Sequence, residues 1–130
     1  MENPTVEIEI AVTEKAVTFS VKNMYSEPIN ILNPKKLIIE QFEDNNWLNL
    51  KILICPCDAP CNAPEEKKLL TSNQSYSFLW NKKESWCGNR TPQGIRETIE
   101  KIATSGLYRI KVTFVRNDEP IEIYKEFEIK

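Results

Sequence analysis

The chain alternates apolar and polar residues almost from its start. In "TVEIEIAV", Val6, Ile8, Ile10 and Val12 take every second position, with Glu7, Glu9 and Ala11 between them. A period of two marks a strand with one buried face. "AVTFSVK" continues the pattern through Val17, Phe19 and Val21, and the intervening "TEK" is short enough for a hairpin. "NMYSEP" reads as a turn before the short strand "INIL", and Asn33-Pro34 then breaks the run. "LIIEQF" and "WLNLKILI" flank the polar tip "EDNN" as a second hairpin. "LLTSNQSYSFLW" carries a turn around Asn73 and a strand with Tyr76, Phe78 and Trp80 on one face. Near the end, "LYRIKVTFV" aligns Tyr108, Ile110, Val112 and Phe114, and "NDEP" turns the chain into "IEIYKEFEIK", which aligns Ile121, Ile123, Phe127 and Ile129. The spacing predicts about eight strands in an all-β, antiparallel β-sandwich.

One segment departs from this period. "TPQGIRETIEKIATSG" places Ile95, Ile99 and Ile102 at helical spacing, with Thr91 as N-cap, Pro92 in the first turn and Gly106 as terminator. It predicts one short helix before the penultimate strand, covering one end of the sheets.

Length adds that the 130 residues fit a single domain, 1–130, able to bury a real core. The net charge is -2 and lysines are scattered among glutamates, so no basic face tracks phosphates and nucleic acid is not an expected partner. No apolar run reaches the ~20 residues of a transmembrane segment. The opening "MENPTVEIEI" lacks the basic and apolar regions of a signal peptide. Two locations stay open: cytoplasmic, or periplasmic, extracellular or cell-surface after removal of a leader. Histidine is absent, which removes the commonest general base and every Ser-His or Cys-His catalytic pair. No Ser, Asp or Lys falls in a nucleophile elbow, P-loop or Ser-x-x-Lys setting, so the chain is not expected to be an enzyme.

The stretch "TSGLYRIKV" resembles the start of strand F in immunoglobulin-like domains. There a glycine two residues before a tyrosine lets the chain turn, while the phenol bonds back to the corner backbone. Gly106 and Tyr108 fill those places, Thr104 stands where the antibody pattern has Asp, and Ile110 where it has Cys. The resemblance thus implies a tyrosine corner without the inter-sheet disulfide. More widely, "VTFSVKNMYSEPINIL", "QFEDNNWLNL", "LLTSNQSYSFLW" and "SGLYRIKV" follow in an order similar to the bacterial intracellular proteinase inhibitor family. Small bacterial lipoprotein-type domains with a Cys-rich insert look alike in the same way. These resemblances imply an immunoglobulin-like sandwich that binds protein, with proteinase inhibition as one form of that activity. The Cys-rich insert is no part of the inhibitor pattern, and no inhibitory residue is carried over.

That insert, "ILICPCDAPCNAPEEKK", holds Cys55, Cys57 and Cys61, and Cys87 follows Trp86 further on. An even count of thiols reads first as two disulfides in an oxidising compartment. Pro56 makes a Cys55–Cys57 bond sterically poor, which leaves Cys55–Cys61 with Cys57–Cys87, or Cys57–Cys61 with Cys55–Cys87. A bridge from the loop to Cys87 closes roughly 25–30 residues and contributes about 3 kcal/mol through the unfolded state. In the alternative, the same four cysteines form a thiolate tetrad for zinc or Cu(I), although the C-x-C-x₃-C spacing is not that of paired knuckles. A reactive thiol is the weakest reading, because Asp58 and Glu65 disfavour a thiolate beside them.

Of the tryptophans, Trp80 alternates with Phe78 and reads as core. Trp86, in the loop "KKESWCGNR", and Trp47, at a hairpin tip, are the candidate binding aromatics. The function expected is a non-enzymatic protein-binding module needing no cofactor, its Cys55–Cys87 end forming a rigid recognition surface. A metal-handling domain is the alternative, and a structural subunit pairing through an edge strand the second.

Overall fold

In the computed structural model, residues 5–53, 55–58 and 65–130 are described. They form eleven strands, all paired antiparallel. β1 (Val6–Val12), β2 (Val17–Asn23) and β7 (Ser75–Trp80) make one sheet in the order β1-β2-β7. The second sheet is built around β10 (Gly106–Arg116). β11 (Glu119–Ile129) runs along one edge of β10 for its whole length. The other edge is shared by two shorter strands: β4 (Ile39–Glu43) pairs with Tyr108–Ile110, and β3 (Ile29–Leu32) with Phe114 and Val115. β5 (Asn46–Asn49) extends β4, and β6 (Lys67–Leu70) extends β3.

The two sheets share one core. Val17, Phe19 and Val21 of β2 face Tyr108, Ile110, Val112 and Phe114 of β10, with Trp80, Phe127 and Ile129 among them. Phe19 meets Phe127 edge-on at 5.5 Å between centroids, and Trp80 lies 5.9 Å from Tyr108. The alternation read from β2, β10 and the end of β11 is thus the alternation that is buried. On β1 it fades: Val6 and Ile8 are buried, Ile10 half-buried, and Val12 exposed.

Two hairpins close through left-handed residue pairs without glycine, Asp44-Asn45 between β4 and β5, and Asn117-Asp118 between β10 and β11. Positive φ at both central residues is the mark of the type I′ turn, whose twist matches that of the flanking strands. Asn23 is fully buried and fully partnered. Its Nδ2 donates to the carbonyls of Glu27 and Leu70, and its Oδ1 accepts from Tyr25 N.

The expected helix is not there, and no helix occurs among the described residues. Thr91–Ile95 is instead a hairpin loop. Gly94 N donates to Thr91 O and Thr91 N to Ile95 O, with Pro92 at the first corner and Gly94 at φ 82°. A type I turn followed by a left-handed residue is a standard three-residue hairpin connection. It joins β8 (Lys83–Arg90) to β9 (Arg96–Ile102). Of the isoleucines at helical spacing, Ile95 lies in the loop while Ile99 and Ile102 fall on opposite faces of β9, and Ile95 and Ile102 are exposed. Thr91 and Pro92, which suggested a helix start, are turn residues. The strand count exceeds the expected eight because β6, β8 and β9 carry no apolar alternation of their own. Trp86 accordingly sits in a strand, not in a loop.

Candidate functional site

β8 and β9 form a two-stranded sheet of their own. Neither strand places a residue in the buried core. The hairpin is held by the chain that follows β5. Lys51 O accepts from Ser85 N at 2.7 Å, Lys51 N donates to Glu84 Oε2, and Leu53 N donates to Ser85 Oγ. At its other end Ala103 N donates to Lys82 O, and the buried Trp80 indole donates to Lys83 O at 3.1 Å.

The Cys loop then crosses the hairpin face carrying Ser85, Cys87 and Thr98. Cys57 and Cys87 are joined as a disulfide, their Cα atoms 5.8 Å apart across a sequence separation of 30. The Cys57 sulfur lies 3.5 Å from Thr98 Oγ1, and Thr98 pairs with Cys87 across the hairpin. One residue on, Asp58 accepts from Arg96 N at 2.7 Å and from Arg96 Nε at 2.9 Å, and lies 3.8 Å from Arg90 Nη1. The Arg96 backbone amide, then its guanidinium, hold the Asp58 carboxyl below its ordinary range.

This bond selects between the two pairings the sequence left open, because Cys57–Cys61 with Cys55–Cys87 is incompatible with it. Cys55 is also disulfide-bonded. Cys61 lies outside the described residues. A thiolate tetrad requires both Cys57 and Cys87 reduced, and here their sulfurs are bonded to each other. Among the described residues, no three His, Cys, Asp or Glu side chains converge as metal ligands.

Trp86 lies on the opposite face, paired with Ile99 across the hairpin and half-buried, with Lys51 Nζ 5.5 Å from its ring centroid. Between Cys87 and Arg90 the register slips by one residue. Gly88 occupies this bulge, and a Cβ there would collide with the Ile99 side chain. Glycine lets the Ile99 side chain lie against the backbone here, and any larger residue would have to turn that side chain aside.

Trp47 stands elsewhere, on the outer face of the β10 sheet. The Arg109 guanidinium lies 4.3 Å from its ring centroid and 4.1 Å from that of Tyr124. Glu40 fixes the same guanidinium, 2.8 Å from Nε and 2.7 Å from Nη2. Phe42 packs on Trp47 at 5.1 Å. The two candidate aromatics therefore do not form one site. Sequence reasoning missed Arg109 and Glu40, whose only signal was opposite charge at facing strand positions, and Tyr124, which gave none.

At the corner before β10, Tyr108 OH donates to the Thr104 carbonyl, and Gly106 has φ 153°. Burial raises the phenol's pKa above its ordinary value. No protein-family model matches this chain, and no curated protein matches it either.

Proposed function

We propose that the chain is a non-enzymatic, immunoglobulin-like protein-binding module that recognises its partner through the open face of the β8–β9 hairpin. One observation carries this reading: a hairpin that contributes nothing to the core is fastened by a disulfide and a doubly hydrogen-bonded ion pair. Such fastening lowers the ordering cost of association, which favours binding by a preorganised surface. The strapped face is occupied at Cys87 and Arg96 by Cys57 and Asp58. The other presents Trp86 and Ile99, an aromatic anchor beside an aliphatic one, with Lys51 over the indole. Proteinase inhibition, implied by the resemblance to the bacterial inhibitor family, is one form such binding takes. The disulfide fits an oxidising compartment.

The test pairs affinity capture with a proteinase panel, using the disulfide-intact protein and its Trp86→Ala variant as matched baits. Loss of a captured partner, or of inhibition, in Trp86→Ala with an unchanged melting curve supports the reading. Equal binding by both proteins overturns it.

A further inference from the structure

The sandwich is open along one border. β1 pairs only with β2 and β11 only with β10, so both are edge strands among the described residues. They run along the same border, and a trough of ≈ 1100 Å³ lies between them. Its floor is made by Ile8, Ile10, Met24, Ile123 and Phe127. Ile10 and Ile123 pack against the core yet remain only partly buried, and Val12 and Met24, at opposite ends of β1, are exposed. The trough follows the seven residues of β1, about 20 Å at a strand's rise per residue. That is the shape of an extended segment rather than of a compact ligand.

The charges at its rim are one-sided. Glu7 and Glu9 of β1 and Glu126 of β11 line it, and none makes an ion pair among the described residues. Lys125 is the single cation lining it. A strand added to the free edge of β11 would place alternate side chains against Ile123 and Phe127, with Lys125 between them, and the others beside Tyr124, Glu126 and Glu128. The first set wants apolar groups and the second cations, because opposite charges on neighbouring strands attract and like charges repel. A second copy of this chain is the wrong occupant at this border. Its own edges read "EIEI" and "EIYKEFEIK" and would set glutamate against glutamate.

We propose that this border is a second binding site, which takes an extended peptide of alternating apolar and basic residues by adding it as a strand to β11, over the trough. Main-chain hydrogen bonds would supply affinity and the acidic rim the choice of sequence. The site is separate from the hairpin and does not depend on it.

The probe is a capped peptide of alternating valine and lysine, about seven residues long to match the trough. It is titrated into the disulfide-intact full chain while backbone amide shifts are followed. Two control peptides carry glutamate in place of lysine, or the same composition scrambled. The expected result is a saturable shift confined to Val6–Val12 and Glu119–Ile129, with new exchange protection on β11. Neither control should reproduce it. Affinity should fall about tenfold in the triple variant Glu7→Lys, Glu9→Lys, Glu126→Lys, and with rising salt, and stay unchanged in Trp86→Ala. Absence of binding, equal binding of either control, or shifts centred on the hairpin would overturn the proposal. So would concentration-dependent self-association through β11. Because the control peptides test the same claim on the unaltered protein, the answer does not depend on the triple variant folding.

Discussion

Asp58 accepts hydrogen bonds from both the backbone amide and the guanidinium of Arg96, one residue past the sulfur that joins Cys57 to Cys87. The Cys loop is thus tied to β8 by a covalent bond and to β9 by an ionic one, on successive residues. The two ties respond to different chemistry and are separable by experiment.

The ionic tie responds to acid. Asp58 titrates below its ordinary 3.8 in the folded chain, so its contribution is complete above that value and is lost as the pH falls through the folded pKa. Carboxyl carbon shifts should give a midpoint for Asp58 under 3.8, with the Arg96 amide moving in step. Asp58→Asn should remove that transition while leaving the core's amide protection unchanged.

The covalent tie responds to reductant. Cys57→Ala with Cys87→Ala should lower unfolding stability by about 3 kcal/mol, chiefly by freeing the unfolded chain. Hydrogen exchange should quicken in β8 and β9 more than in β2 and β10, since the hairpin adds nothing to the core. Chelator should leave the melting curve of the oxidised protein where it was. A fall on chelation would instead point to the thiolate alternative.

Gly88 tests the bulge. Gly88→Ala drives a methyl into the Ile99 side chain, whose outer atoms must turn aside, and should cost about 1 kcal/mol. Ile99→Ala removes the colliding atoms, so the double variant should be more stable than the two single effects predict when added. Additive losses in a double-mutant cycle would show that the close approach is not the cause.

Tyr108 tests the corner. Tyr108→Phe deletes the bond to the Thr104 carbonyl and should cost about 1 kcal/mol, because that exposed carbonyl is free to bond water instead. Burial raises the phenol's pKa above 10.0, so the folded state keeps its proton longer than the unfolded one. Stability from this group is therefore complete below pH 10 and falls as pH rises toward the folded pKa. The wild type should lose stability across that range in urea titrations, and Tyr108→Phe should show a smaller loss.

Much of the sandwich was legible because its central strands bury one face. Val17, Phe19 and Val21, or Tyr108 through Phe114, alternate in sequence as they alternate in space. The hairpin was illegible for the same reason in reverse. β8 and β9 have no deep side, so "KESWCGNR" shows no period and the isoleucines of β9 were free to mimic a helix. What decided between helix and hairpin was local: Pro92 and Gly94 suit a type I turn with a left-handed closing residue. The Cys57–Cys87 pairing was one of two the sequence allowed, and fold geometry was needed to select it. The Trp47–Arg109–Tyr124 stack was out of reach, since it joins β5 to β10 and β11, which lie roughly sixty residues further along the chain and meet it only through β4.

The shared edge of β10 has a consequence for biosynthesis. Ile39 and Ile31 leave the ribosome long before their partners Ile110 and Phe114 exist. At ordinary rates of elongation the wait is on the order of ten seconds. Through it, β3 and β4 carry open edges and apolar faces with only β6 and β5 to pair with. The second sheet therefore cannot form as the chain grows. It closes only when β10 arrives, so a nascent chain halted before Gly106 keeps those edges open.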